Sequence, residues 1–216
     1  MPKVTLLLTL LFSGFLSTAP AQNCGLSGTP AWSKQLRTVI ADCDNRFASP
    51  NGKLLLRIDP EGKVRVSQLA SDKEVQIHSA AVEPPAMVSW SPNSDAFFVN
   101  DGEGSGMAST FRLFRMNGDQ AVEDGTVERQ AVGLYRSQTK CASAAADPNV
   151  WGIGWSAGGT SFYLLVQATA NDPCGTPGTF IGMRVKLADG AIVEQFSEAA
   201  TKQRFHALLP REVYSK

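Results

Sequence analysis

The chain has no surplus of charge of either sign: 20 Lys+Arg stand against 20 Asp+Glu in 216 residues. That balance excludes a nucleic-acid binder held by phosphate neutralisation and a polybasic membrane anchor. Histidine is scarce, with His78 and His206 the only two. The four cysteines form no Cys-x-x-Cys pair and no Cys/His group at zinc spacing, so no metal site is predicted. There is no phosphate loop, dinucleotide fingerprint or basic aromatic stripe, and no cofactor is predicted. The longest apolar run, Val4 to Leu16, falls short of the roughly 20 residues that cross a bilayer. What is present is ordinary globular material, 43% hydrophobic and 19% charged. It suits one domain with a real core and excludes wholesale disorder.

The first 21 residues have the form of an export signal. Met-Pro-Lys precedes the apolar run, and Ala19-Pro20-Ala21 gives a small-x-small end. Cleavage near Ala21 would leave residues 22–216 as a single β-rich domain without a membrane span, periplasmic or secreted. Gln22-Asn23 before Cys24 is not a lipoprotein context. Four cysteines in an exported chain favour disulfides. Three pairings exist. The local one, Cys24–Cys43 and Cys141–Cys174, is favoured because each pair brackets one predicted element. The first pair brackets an N-terminal helix, and the second a hairpin turning at Gly158-Gly159.

Thr29-Pro30 reads as a helix start, and Trp32, Leu36, Val39, Ile40, Cys43 and Phe47 share helical spacing. A helix is predicted over about 31–47, ended by Ser49-Pro50-Asn51-Gly52. From Leu54 the period becomes 2, as in Leu54, Leu56, Ile58 and in Ile181, Met183, Val185. Repeated antiparallel hairpins are predicted over about 53–196. A short helix is predicted over about 198–209, stopped by Pro210.

The chain repeats internally. Ser89-Trp90-Ser91-Pro92-Asn93-Ser94-Asp95-Ala96-Phe97-Phe98-Val99 aligns without gaps to Gly154-Trp155-Ser156-Ala157-Gly158-Gly159-Thr160-Ser161-Phe162-Tyr163-Leu164. A second hairpin follows each copy, and Leu54 to Leu69 is a third copy of that second hairpin alone. The order is half a unit and then two full ones. Trp90-Ser91-Pro92-Asn93-Ser94 followed by Ala96-Phe97-Phe98-Val99 resembles the Trp-Ser-Pro-Asp-Gly signature of WD40-like, TolB-type β-propeller repeat proteins. The resemblance implies blade-like sheets in an incomplete or atypical propeller. A β-sandwich or open barrel of the same hairpins is the alternative.

Three motifs carry candidate chemistry. Gly154-Trp155-Ser156-Ala157-Gly158 spells the nucleophile elbow of a serine hydrolase, with His206 downstream as base and Asp172 or Asp189 between. The segment after Ser156 reads as a strand, whereas an elbow needs a helix there to build its oxyanion site. Asp101-Gly102-Glu103-Gly104-Ser105-Gly106 resembles the start of a calcium loop, but an EF-hand's twelfth position falls on Arg112. Trp151, Ile153 and Trp155 alternate with Gly152 and Gly154, which predicts core packing with glycines admitting a neighbouring sheet. No catalytic residue is assigned.

The function expected is a non-catalytic binding or scaffold module of the bacterial envelope, for a protein or glycan partner. The alternatives are a secreted hydrolase using Ser156 and His206, and a structural subunit of a homo-oligomer.

Overall fold

A computed structural model describes residues 22–23, 33–104, 108–138, 147–170 and 177–209. Strand β1 (Gln22–Asn23) and strand β2 (Arg37–Val39) precede three four-stranded antiparallel units. Blade 1 is β3 (Cys43–Ala48), β4 (Leu54–Ile58), β5 (Val64–Gln68) and β6 (Glu74–Ile77). Blade 2 is β7 (Ala86–Trp90), β8 (Ala96–Asp101), β9 (Thr110–Asn117) and β10 (Gln120–Asp124). Helix α1 (Thr126–Gln138) leads to blade 3, made of β11 (Asn149–Trp155), β12 (Ser161–Gln167), β13 (Phe180–Lys186) and β14 (Ile192–Phe196). Helix α2 (Glu198–Arg204) follows.

The mainly β, blade-like architecture is as predicted, but the first repeat is a whole unit, not half of one. The predicted helix over 31–47 is not there: among its described residues, Arg37–Val39 and Cys43–Ala48 are strands. The helical spacing was imitated by two strands joined at a tight turn. Asp42 takes φ 59° in that turn. The Asn45 side chain accepts from the Ile40 N–H and donates to the Ile40 carbonyl, both at 2.9 Å, which closes it. Leu36, Val39, Cys43 and Phe47 are buried as expected, but Ile40 is 41% exposed.

The same turn occurs in all three blades, between first and second strands. Ser49, Ser91 and Ser156 each donate their N–H to the carbonyl five residues on, at 2.8–2.9 Å. Each Oγ accepts from the N–H of that same residue, Leu54, Ala96 or Ser161. The fourth turn residue needs left-handed backbone in every case: Gly52 at φ 68°, Ser94 at 64° and Gly159 at 68°. The Ser49-Pro50-Asn51-Gly52 stretch is therefore a blade turn, not a helix stop.

Apolar side chains of the blades meet face to face. Phe47, Leu56, Ile58 and Val66 of blade 1 pack on Val88, Phe97, Val99 and Phe114 of blade 2. Phe98, Phe111 and Leu113 on the other face of blade 2 pack on Trp155, Phe162, Leu164 and Met183 of blade 3. Both faces of blade 2 are thus buried, which is why all of β8 is buried. Helix α1 adds Val127, Ala131 and Tyr135 to the second cluster. That helix was missed in the sequence, although an i, i+4, i+8 run of buried residues marks it.

The two ends of the stack differ. The far face of blade 3 (Ile153, Leu165, Phe180, Phe196) is covered by Phe205 and Leu209 after α2. The helix runs only to Arg204, shorter than the predicted 198–209, and turns follow it. The far face of blade 1 is polar. There Asp44 takes both Arg46 and Arg57, and Arg65 lies between Asp59 and Glu74. At the rim, β6 and β10 pair in parallel, so blades 1 and 2 join β1 and β2 in one ten-stranded sheet. Blade 3 is a separate four-stranded sheet.

Candidate functional site

Adjacent blades are latched where their first strands end. The Trp90 indole N–H of blade 2 donates to the Phe47 carbonyl of blade 1 at 3.1 Å. The Trp155 indole N–H of blade 3 donates to Ser89 Oγ of blade 2 at 3.0 Å. In the repeat alignment Phe47 and Ser89 occupy the same position, so each tryptophan reaches the equivalent point on the blade before it. Ser89 Oγ passes its own proton to the Gln35 carbonyl at 2.6 Å. The Gln35 side chain accepts from the Trp155 N–H at 2.6 Å. Blade 1 has Ala48 where the others have tryptophan, and Ala48 is exposed.

These latches wall a groove of about 520 Å³ lined by Lys34, Gln35, Arg37, Phe47, Pro50, Val88, Trp90 and Pro92, among others. Its position follows from the fold: Pro50 and Pro92 come from the equivalent turns of blades 1 and 2, and Arg37 from β2. The walls are apolar, and Trp90 is half-buried. Its charge is one-sided. Arg37 gives one terminal nitrogen to the Lys34 carbonyl at 2.9 Å, and among the described residues no carboxylate pairs with Lys34 or Arg37. In the cleft between blades 2 and 3 the cations are matched: Arg115 with Asp124, Arg184 with Glu194 and Lys186 with Asp189.

The motifs singled out in the sequence are placed as follows. Ser156 sits in a strand–turn–strand hairpin, and its Oγ accepts from Ser161 N–H at 3.1 Å. The segment after it is β12, so the helix start that an oxyanion site would use is not in place. His206 lies exposed in the turns beyond α2, Asp189 lies in the β13–β14 turn, and Asp172 is outside the described residues. Cys43 is buried on β3. Cys24, Cys141 and Cys174 lie outside the described residues, and so does the signal segment 1–21.

Asp101 is structural. Its carboxylate accepts from the Glu83 and Glu103 N–H groups and pairs with Arg112 at 3.2 Å. Arg112 is buried and also grips Glu123 at 2.9 and 3.1 Å and the Ala80 and Ala81 carbonyls. Burial alone would lower the Arg112 pKa, but the bonds to Glu123 and Asp101 raise it, so its charge is fixed. It ties β9 to the connection between blades 1 and 2. Ser105 and Gly106 of the calcium-like stretch are outside the described residues. Among those described, no group of three or more His, Cys, Asp or Glu side chains could hold a metal.

The run 151–155 is core, as predicted, but not on one face. The register shifts between Gly152 and Gly154. That bulge turns Trp155 toward blade 2, while Ile153 and Trp151 face the α2 side. Gly152 does admit its neighbour: a Cβ there would lie 2.6 Å from the Phe98 ring. The buried Asn100 side chain brackets the Gly152 peptide, accepting at 2.7 Å and donating at 2.8 Å.

Four-stranded antiparallel units stacked face to face, with first strands latched in series, make this a propeller-like β protein. No family model matches the chain, and no curated protein does. Among solved structures it is similar to the β-propeller domain of Cps50 (Swd1) from Myceliophteria thermophila, at 12% identity and a TM-score of 0.38. The match covers 75% of this chain and 43% of that one, so the chain spans less than half of that domain. The likeness concerns the fold only. No described helix is long and apolar enough to cross a membrane.

Proposed function

We propose that the chain is an exported, non-catalytic binding module of the envelope, TolB-like in its blades, with its ligand in the groove beside Trp90. In this reading export removes residues 1–21, and the Cys24–Cys43 and Cys141–Cys174 disulfides brace the mature domain. One observation supports the site: among the described residues, Lys34 and Arg37 stand without carboxylate partners next to a half-buried tryptophan face. Apolar concavity with a few convergent polar groups is the usual form of a ligand site. The latches hold the groove rigid, which lowers the ordering cost of binding.

The test is nuclear magnetic resonance of the mature protein titrated with fractionated envelope extract. The expected result is a set of shifts confined to the Trp90 indole N–H and the backbone of Lys34–Arg37. Shifts only elsewhere refute the site. Turnover in a hydrolase panel that survives repurification and disappears with His206→Ala refutes the non-catalytic reading. Intact mass of the exported form checks a Gln22 N-terminus and the loss of four thiol protons.

A further inference from the structure

We infer that the groove takes an acidic, extended segment of another polypeptide, with its carboxylates on Lys34 and Arg37 and an apolar side chain against Trp90. This rests on the groove being the binding site proposed above.

Charge sets the sign of the occupant. Two cations line the groove, no described acidic residue does, and no described carboxylate neutralises either cation. A carboxylate brought there forms charge-assisted hydrogen bonds, and the Arg37 guanidinium keeps donors free beyond the nitrogen that holds the Lys34 carbonyl.

The neutral polar groups argue against a sugar. Hydroxyl-rich ligands offer donors and acceptors together and are best matched by neutral side chains with both to spare. Gln35 is already engaged by the Trp155 backbone, and Ser89 is engaged by Trp155 and Gln35. What the groove has left is apolar wall (Phe47, Pro50, Val88, Trp90, Pro92) and positive charge. An acidic peptide with one apolar side chain matches both. The volume, about 520 Å³, is in the range of compact ligand sites and holds a few residues, not a folded surface.

The backbone supplies a third reason. Arg37 lies on β2, and β2 ends the ten-stranded sheet. One edge of β2 therefore presents N–H and C=O groups without a strand partner among the described residues. Where an extended peptide runs past Arg37, the groove residue of this three-residue strand, that edge can add backbone hydrogen bonds.

The test is fluorescence anisotropy with two labelled hexapeptide pools. One carries two Asp or Glu among Leu, Phe and Pro; the other carries Asn or Gln at the same positions. A third arm uses labelled oligogalacturonate, an acidic glycan. The expected result is that the acidic pool binds at least tenfold more tightly than its amide counterpart. The difference should shrink as salt rises from 0.05 to 0.5 M. Lys34→Ala with Arg37→Ala should weaken acidic binding about tenfold or more at an unchanged melting temperature. Equal binding of the two pools at the groove overturns the acidic inference and leaves the groove reading standing. Oligogalacturonate binding above both pools overturns the peptide inference in favour of a glycan. If no pool and no glycan shifts the Trp90 indole resonance, the inference and the groove reading fail together.

Discussion

Removing the indole nitrogen of Trp155 measures how much one latch contributes to holding blades together. Trp155 is 3% exposed and Ser89 2%, so the bond between them, at 3.0 Å, lies in the buried interface of blades 2 and 3. Trp155→Phe deletes the donor and half the fused ring. A buried hydrogen bond whose partner loses its mate costs about 1–3 kcal/mol. The smaller ring also loses contacts with Phe98 and Phe162, whose centroids both lie 5.4 Å from the indole. Together these give about 3 kcal/mol, or a melting temperature lower by roughly 6–12 °C for a chain of this size. Urea denaturation of Trp155→Phe, Ser89→Ala and the double variant isolates the bond itself. Coupling of about 1 kcal/mol or more is expected between the two sites. Additivity within ~0.3 kcal/mol would refute the latch. Ala48→Trp is the control: no described blade precedes it, so its effect should stay within about 0.5 kcal/mol.

Asn100→Ala leaves the buried Gly152 N–H and C=O unpaired, so the urea midpoint should fall by the equivalent of about 2–4 kcal/mol at an unchanged slope. Burial pushes the Glu128 carboxyl above its ordinary 4.5, the bond from Phe111 N–H opposes this, and Glu103, Asp147 and Glu123 add to the rise. A raised folded pKa means that its contribution is full at low pH and is lost as pH climbs through the folded value. Glu128→Gln keeps an acceptor for Phe111. It should therefore gain melting temperature over the parent at neutral pH, with the gain gone near pH 4. A constant difference from pH 4 to 8 would refute the assignment. Ser156→Ala removes the acceptor for Ser161 N–H, so a loss of about 0.5–1.5 kcal/mol is expected. A serine-directed phosphonate should label parent and variant alike, and labelling lost only in the variant would revive the nucleophile.

The repeat around Trp90 and Trp155 was legible because strand period, turn residues and aromatics all recur together. The first blade was hidden by a single substitution. Ala48 replaces the tryptophan that flags the other copies, although Ser-Pro-Asn recurs intact at 49–51 and 91–93. The false helix over 31–47 arose because period-2 strands on either side of a three-residue connection can place apolar residues three and four apart. Nothing local reveals the Asn45 clamp that settles the matter. The groove was illegible for a different reason. Lys34 and Arg37 are ordinary surface cations in the sequence, and only the fold sets them beside Trp90 with no counter-charge among the described residues.

The unlike ends of the blade stack bear on its length. Blade-to-blade contact is head-to-tail, and such contacts repeated without a stop make an open filament. The described residues beyond Phe196 cover this end. Phe205 meets Tyr163 and Phe196 at ring-centroid distances of 4.5 and 5.2 Å and occupies the face on which a further blade would add. The opposite end, with Asp44 between two arginines, is unfit to receive it. Without residues 197–209, blade 3 would present an aromatic face that the charged end of a second copy cannot cover. The two ends of the described stack therefore differ in chemistry as much as the interfaces between its blades do, one closed by aromatic packing and the other by ion pairs.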